Sequence, residues 1–257
     1  MIPQDFISEW KKAAPWSQDD QVEQDLIIYR ALVEIFSHPD LAENLAFRGG
    51  TALFKLHLPP IRYSEDIDLV QVHPGPIGPL MDAMQEKLNP RLGSPKRKRS
   101  EGRVTLTYRV ASEEGVPLKL KVEINSREHF TLLGFEKRVF AVDSRWFSGN
   151  APILTYHLDE LMGTKVRALY QRKKGRDLFD LWVAFDTAAI RPESVIQCFL
   201  HYMIRKGIRC PVRSSSRIYP RNWMIQDSSP ISDRSWSPTV VSIFPGQPNS
   251  CLSGWRP

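Results

Sequence analysis

The chain alternates between two hydrophobic periods, one typical of helices and one typical of strands. Its first long helical pattern follows Ser17–Asp20, which has capping-box spacing, and we expect His38-Pro39 to end that helix. The apolar positions of the predicted helix are Val22, Leu26, Tyr29, Val33 and Phe36. Steps of three and four residues place these side chains on one face, so the segment should pack against a core.

Alternating apolar and polar residues predict strands in three later runs. These are EDIDLVQV at 65–72, VTLTYRV at 104–110 and LKLKVEIN at 118–125. The last two are joined by ASEEGVP and predict a hairpin. LAFRGGTALFKLHL at 45–58 predicts a short strand, a glycine turn and the start of a helix. Together the patterns favour an α/β or α+β fold, with helices packed on a small mixed sheet.

Composition divides the chain into three regions. The predicted strands lie within residues 1–145, whereas residues 146–203 contain helical patterns such as LDELMGTKVRALYQR and DLFDLWVAF. From residue 204 onwards the chain is rich in Ser, Arg and Pro, glutamate is absent, and three tryptophans stand outside any apolar pattern. Natural disordered tails are typically rich in Glu and Lys. We therefore expect a core, a helical region, and a tail at 204–257 that is disordered or encoded in a shifted reading frame.

Charge and cysteine content indicate which kind of partner and which cellular compartment fit the chain. The chain has 257 residues and a formal net charge of +6, a mild excess that fits a partner carrying phosphates. No apolar run is long enough to span a membrane, and the N-terminus does not have the pattern of a secretory signal. Cys198, Cys210 and Cys251 are widely spaced and form neither a disulfide framework nor a zinc motif, so we expect a reducing cytoplasm.

Two carboxylates set one residue apart are the first candidate for chemistry. Asp66 and Asp68 leave the same face of a predicted strand, and a cation between them would relieve their repulsion. Mg²⁺ prefers such ligands together with substrate phosphates, although a solvated strand face has the same pattern. Glu123, on the polar face of LKLKVEIN, either supplies a third carboxylate or forms a salt bridge with Lys121 or Lys119.

Two further stretches fit phosphate groups. Gly49-Gly50-Thr51 lies between a strand and a helix, where glycine lets the backbone approach a phosphate closely, although an ordinary turn is the alternative. SPKRKRS at 94–100 is a basic run in a predicted loop, which either contacts nucleic acid or remains solvated. Its cations are Lys96, Arg97, Lys98 and Arg99.

RGGTALFK followed by SEDIDL resembles the Gly-Gly/Ser and Asp-x-Asp signature of the DNA polymerase β-like nucleotidyltransferases, and more narrowly the AbiEii/AbiGii toxin family. LDELMGTKVRALYQRKKGRDLFDLW resembles later motifs of that family, namely a lysine, a helix ending in arginine, and Arg-Asp-x-x-Asp-Leu. The positions concerned are Lys165, Arg172, Arg176, Asp177 and Asp180. The resemblance covers about residues 20–190, and three motifs in order are more specific than Asp-x-Asp alone.

This resemblance implies a nucleotidyltransferase fold followed by a helical region, and a metal site in the fold. Asp66 and Asp68 would hold Mg²⁺, and Glu123 would complete the metal site or act as a base toward the acceptor hydroxyl.

The resemblance also implies a nucleotide site. Gly49-Gly50-Thr51 would cradle the triphosphate, and Lys165 would neutralise it, although a solvated helix lysine is the alternative for Lys165. Asp177 and Asp180 would belong to the same site, or else pair with nearby arginines such as Arg172 and Arg176.

The implied function is transfer of a nucleotide from an NTP to an acceptor. By the resemblance, the protein would be the toxin of a toxin–antitoxin or phage-abortive system, with an antitoxin as partner and the 3′ end of tRNA as acceptor. Two alternatives stay open on the residues alone. One is a non-catalytic NTP-binding protein that acts through a partner, and the other is an enzyme that modifies a small molecule or a protein hydroxyl.

Overall fold

A seven-stranded mixed sheet with helices on both faces forms the protein, in a computed structural model that describes residues 2–208. The predicted tail lies, from residue 209 onwards, outside the described residues, as do Cys210 and Cys251. The helices are α1 Gln4–Trp10, α2 Asp19–Phe36, α3 Pro39–Asn44, α4 Gly49–Ala52, α5 Gly78–Leu92, α6 Leu158–Arg172, α7 Gly175–Thr187 and α8 Pro192–Arg205, and a π-helical turn, Leu53–His57, continues α4. The strands are β1 Leu45–Arg48, β2 Asp66–Gln71, β3 Lys96–Ser100, β4 Arg103–Ala111, β5 Pro117–Asn125, β6 Phe135–Asp143 and β7 Ser148–Tyr156.

The strand order is β3-β4-β5-β2-β1-β7-β6, so β2 lies at the centre of the sheet. β2 runs parallel to β5 and antiparallel to β1, and β1 runs parallel to β7. The β4–β5 hairpin forms as its alternating pattern predicts. The expected mixed α/β fold is confirmed, and its central strand carries the Asp-x-Asp motif.

One face of the sheet is buried beneath α2. Leu26 and Leu32 of this helix share a core with Ile67 and Leu69 of β2. Because side chains alternate along a strand, burial of these two β2 residues leaves the two aspartates of β2 on the opposite face.

Helices α6 and α7 pack on that opposite face, towards one end of the central strands. A second core joins Ala46, Val70 and Tyr156 of the sheet to Leu161 of α6 and Leu181 of α7. This packing brings the lysine of α6 and the acids of α7 towards the carboxylates of β2. Within residues 2–208, no helix combines the length and apolar character needed to cross a membrane.

Three local predictions were wrong. Residues 96–100, predicted as a loop, form the edge strand β3, because antiparallel pairing with β4 overrides the poor strand propensity of consecutive charges. Residues 148–156 form β7, which pairs with the adjacent strand β6 and with β1, although a helical region was expected from residue 146. Helix α2 begins after Gln18 without a side-chain capping bond, so Ser17 does not cap it.

Candidate active site

Three carboxylates lie together on the sheet face opposite α2, which we call the acid face. The β2–β5 register places Asp68 directly beside Glu123, and Asp66 beside Lys121. Residues in register on neighbouring strands share a face and lie about 5 Å apart. The structure therefore brings together the three acids predicted as metal ligands, and we call Asp66, Asp68 and Glu123 the acid cluster.

Two cations contact this cluster. Lys121 Nζ lies 3.0 Å from Glu123 Oε2 and 3.8 Å from Asp66 Oδ2, and Arg103 Nε lies 3.0 Å from Glu123 Oε1. The salt bridge considered for Glu123 thus exists, with Lys121 as its partner. Arg103 was not predicted, because its approach depends on the β4–β5 register, which its own sequence context does not reveal.

The charge of Asp68 is the least compensated of the three. Within the described residues, Asp68 makes no ion pair shorter than 4 Å. Burial raises the pKa of Asp68, the neighbouring Arg48 partly offsets this, and the charges of Glu123 and Asp66 raise it further. A bound cation would stabilise the charged form of Asp68.

The acid cluster fits a hard divalent cation by residue type and register, since carboxylate oxygens are the ligands that Mg²⁺ prefers. In the side-chain arrangement observed, no three His, Cys, Asp or Glu side chains of residues 2–208 are grouped to hold a metal ion. In that arrangement Lys121 and Arg103 engage both oxygens of Glu123. A metal bound by all three carboxylates would compete with these two cations for Glu123.

The glycine pair lies where acidic and basic groups meet. Gly49 has φ +86°, and a Cβ there would lie 2.2 Å from Asp68 Oδ2. A Cβ on Gly50 would lie 2.5 Å from Arg62 Nη2 and 3.6 Å from Lys165 Nζ. Glycine is required at position 49, where the backbone has a positive φ and a Cβ would collide with Asp68, whereas a side chain at position 50 would displace the Arg62 guanidinium.

Thr51 has a structural contact that the sequence did not reveal. Its side chain is buried, and its hydroxyl bonds the Ser64 hydroxyl at 2.8 Å and donates to the Asp66 carbonyl. These bonds fix the start of β2 against α4 and so help to position Asp66. The predicted phosphate contact of Thr51 therefore does not involve a free hydroxyl in this arrangement.

Across the glycine pair lies a group of three cations and two acids, which we call the cation cluster. Arg62 donates to both oxygens of Asp180, at 2.6 and 3.0 Å, and Lys165 donates to Asp180 Oδ2 at 2.5 Å. Arg172 donates to both oxygens of Asp177, at 2.7 and 2.8 Å, and Lys165 Nζ lies 3.6 Å from Asp177 Oδ1. Lys165 therefore bridges the two acids.

The two acids of α7 are positioned to hold cations. Asp177 and Asp180 are fully buried, and burial alone would raise the pKa of Asp177, but Arg172 and Lys165 lower it overall. Pairing with arginine, which the sequence left open, is thus observed for Asp177 with Arg172. Three cations against two acids leave an excess of one positive charge, which suits an anionic ligand.

An ion network that the sequence did not reveal joins Arg48, the register partner of Asp68, to Glu128 and Arg167. Arg48, whose strand position pairs with Asp68, donates to Glu128 at 2.6 Å, and Arg167 of α6 donates to the same carboxylate at 2.8 and 3.3 Å. Burial alone would raise the pKa of Glu128, yet Arg48 and Arg167 lower it to about 2. Arg48 begins RGGTALFK and Arg167 lies within LDELMGTKVRALYQR, but no local pattern shows that they meet at Glu128, because they come together only after the sheet and α6 have packed.

A cavity of about 170 Å³ opens beside the acid cluster. Its lining residues are Arg62, Tyr63, Ser64, Glu65, Asp66 and Arg176. It joins Asp66 to Arg62 of the cation cluster, and it brings Arg176, at the start of α7, into the site. The basic run lies further away, on the exposed edge strand β3.

Acids on a central strand after a Gly-Gly turn, with cations opposite, form the arrangement that the resemblance to nucleotidyltransferases implies. MenT4, the nucleotidyltransferase toxin Rv2826c from Mycobacterium tuberculosis H37Rv, has a similar fold, with a TM-score of 0.60 at 18% identity over 83% of this chain and 76% of that one. JHP933 from Helicobacter pylori is also similar, with a TM-score of 0.47 at 17% identity over 69% of each chain.

The family is identified by sequence. Residues 30–253 match the family described as nucleotidyl transferase AbiEii toxin, type IV toxin–antitoxin system. The chain therefore belongs to the AbiEii nucleotidyltransferase toxins, as its motifs predicted, and it is a nucleotidyltransferase. Among curated proteins there is no match to this chain.

Proposed function

We propose that this toxin transfers a nucleotide from an NTP to RNA, with the 3′ end of tRNA as acceptor, in a Mg²⁺-dependent reaction. One observation carries the proposal, namely that Asp68 and the cations Arg62 and Lys165 converge on Gly49-Gly50. A metal-bound triphosphate needs carboxylates for the metal and cationic donors for the phosphates, within one ligand's length.

The acid cluster would hold the divalent ion. Asp66 and Asp68 would be its ligands, and Glu123 would complete the metal site or accept the proton of the acceptor hydroxyl. When bound, the ion neutralises charge on the triphosphate and on the departing pyrophosphate. The glycine pair would let phosphate oxygens approach the backbone between the two clusters.

The cation cluster would bind the triphosphate. Lys165 would contribute a compact positive charge and Arg62 a planar fork of donors. Asp177 and Asp180 would act as positioning residues in the nucleotide site, since their oxygens already accept hydrogen bonds from Lys165, Arg62 and Arg172. Fixed donors bind a developing charge better than mobile ones, because no reorganisation is needed at the moment of reaction.

In the cell, the proposed activity would inhibit growth by modifying RNA in the cytoplasm, with a cognate antitoxin opposing it. Defence against phage by abortive infection is the corresponding role. The net charge of +6 supports an acceptor that carries phosphates.

The direct test is transfer of label from each of four α-labelled NTPs to total tRNA, with and without Mg²⁺. We expect labelled tRNA with wild-type protein, and none with Asp68→Asn. If the wild-type protein labels a protein or a small molecule and never RNA, the proposal that RNA is the acceptor is refuted. Full activity after removal of all divalent ions would refute the proposed dependence on Mg²⁺.

A further inference from the structure

The acid face continues beyond Glu123 across β4 to β3, and there it becomes basic. The strand registers form two rows across the sheet, one running from Asp68 through Glu123 and Thr105 to Lys98. The other row contains Asp66, Lys121, Thr107 and Lys96. Residues in register share a face, so Lys96 and Lys98 lie on the acid face, about 10 Å from the β5 backbone at two strand spacings.

The same register separates the basic run into two halves. Arg97 pairs with Leu106 and Arg99 pairs with Val104, and both of these partners are buried on the α2 side. Arg97 and Arg99 therefore belong to the opposite face. The four cations of the run, which the sequence treated as one group, form two charge-matched pairs with different surroundings.

Two further cations stand on the acid face. Arg109 of β4 lies directly opposite Lys119 of β5, and both side chains are exposed. Like charges in register destabilise a sheet. Within residues 2–208, none of Lys96, Lys98, Arg109 and Lys119 makes an ion pair within 4 Å, whereas Arg103 and Lys121 contact the acid cluster. An anionic ligand would offset the repulsion between Arg109 and Lys119.

We propose that Lys96, Lys98, Arg109 and Lys119, which we call the basic shelf, bind the phosphodiester backbone of the acceptor RNA. This inference rests on the proposed function and locates the acceptor on one face of the sheet. The shelf is exposed and leads along the registered rows to the acid cluster. Thr105 and Thr107 lie between the shelf lysines and the acids, where their hydroxyls can donate to phosphate oxygens.

The two halves of the basic run give a matched experiment. K96A/K98A and R97A/R99A remove the same charge from the same strand, so a general electrostatic effect lowers RNA affinity equally in both. We expect K96A/K98A alone to flatten the plot of log binding constant for a tRNA against log salt concentration. The loss of two phosphate contacts should change this slope by about 1.4 for a single-stranded segment and about 1.8 for a duplex.

A second variant separates a binding defect from a folding defect. R109Q/K119Q removes the like-charge pair, so its melting temperature should rise while its affinity for tRNA falls. Affinity for Mg²⁺ and NTP should stay at the wild-type value in every variant, because the shelf lies outside the nucleotide site.

The outcomes distinguish the shelf from the proposed function. Equal salt slopes for K96A/K98A and R97A/R99A, with wild-type protein still labelling tRNA, would overturn the shelf and leave the proposed function intact. Unchanged tRNA affinity in R109Q/K119Q would likewise overturn it. Wild-type protein that neither binds nor labels tRNA, but transfers nucleotide to a protein or small molecule, would overturn both.

Discussion

The acid cluster and the cation cluster face each other across Gly49-Gly50, but their charges are matched differently. In the cation cluster, each buried acid is held by two cations, and Lys165 is shared between them. In the acid cluster, Glu123 has two partners, Asp66 has one at 3.8 Å, and Asp68 has none within 4 Å among the described residues. The cation cluster is thus assembled by folding, whereas the acid cluster keeps charge that a bound cation would balance.

Replacing Asp68 should have the largest effect on activity. Asp68→Asn and Asp66→Asn should each lower transfer roughly a thousandfold or more, since a catalytic metal contributes several kcal/mol and each ~1.4 kcal/mol is tenfold in rate. The melting temperature should hold or rise for Asp68→Asn, because the amide removes a partly buried charge whose pKa folding raises.

The matched control for both variants is Asp82→Asn, which changes an exposed acid on α5 and should affect neither activity nor stability. Radiolabel transfer and thermal melting are the measurements. Near-normal turnover of either active-site variant would refute the acid cluster as the metal site.

A substitution in the cation cluster should lower the stability of the fold, whereas Asp68→Asn should lower activity and leave stability intact. Asp180→Asn leaves Arg62 and Lys165 without their shared carboxylate, and breaking a buried ion pair costs about 3–5 kcal/mol. Denaturant unfolding measures the loss. Asp186→Asn, an exposed position on the same helix, should stay within about 0.5 kcal/mol of wild type. An Asp180→Asn protein as stable as Asp68→Asn would abolish the distinction between the clusters.

The Glu128 network should give the protein a characteristic acid sensitivity. The pKa of Glu128 is about 2 in the folded protein against 4.5 when unperturbed, so its contribution is complete above pH ~4.5 and is lost as pH falls towards 2. The difference corresponds to roughly 3 kcal/mol at neutral pH. Glu128→Gln should therefore destabilise most at pH 7 and least near pH 2. Unfolding free energies at several pH values test this, and a loss that does not shrink on acidification contradicts it.

The acid cluster was largely predictable from sequence, because its residues follow the local alternation of strand side chains. Asp66 and Asp68 share a face because strand side chains alternate, and Glu123 follows the same rule within its hairpin. The parallel pairing that joins the two strands is a long-range contact, so the local pattern allowed it but could not establish it.

The rest of the site depends on contacts that no local pattern encodes. Glu128 meets Arg48 and Arg167 across 80 and 39 residues of sequence. The basic run shows the same limit, since four consecutive cations predicted a loop and only the β3–β4 register shows which two share the acid face.

The smallest expected effect concerns Lys121, and it tests whether the acid cluster's present partners compete with a metal. Lys121 contacts Glu123 and Asp66, so Lys121→Met should tighten Mg²⁺ binding. Ion pairs of partly exposed lysines contribute about 0.2–1 kcal/mol, which sets the gain at up to about fivefold. Lys119→Met is the matched control, because Lys119 lies on the same strand and face but contacts neither acid. Calorimetric titration with Mg²⁺ measures both variants. Unchanged or weaker Mg²⁺ binding by Lys121→Met would show that Lys121 does not compete with the metal for the acid cluster. The acid cluster would then resemble the cation cluster, in which the cations and acids are matched by folding.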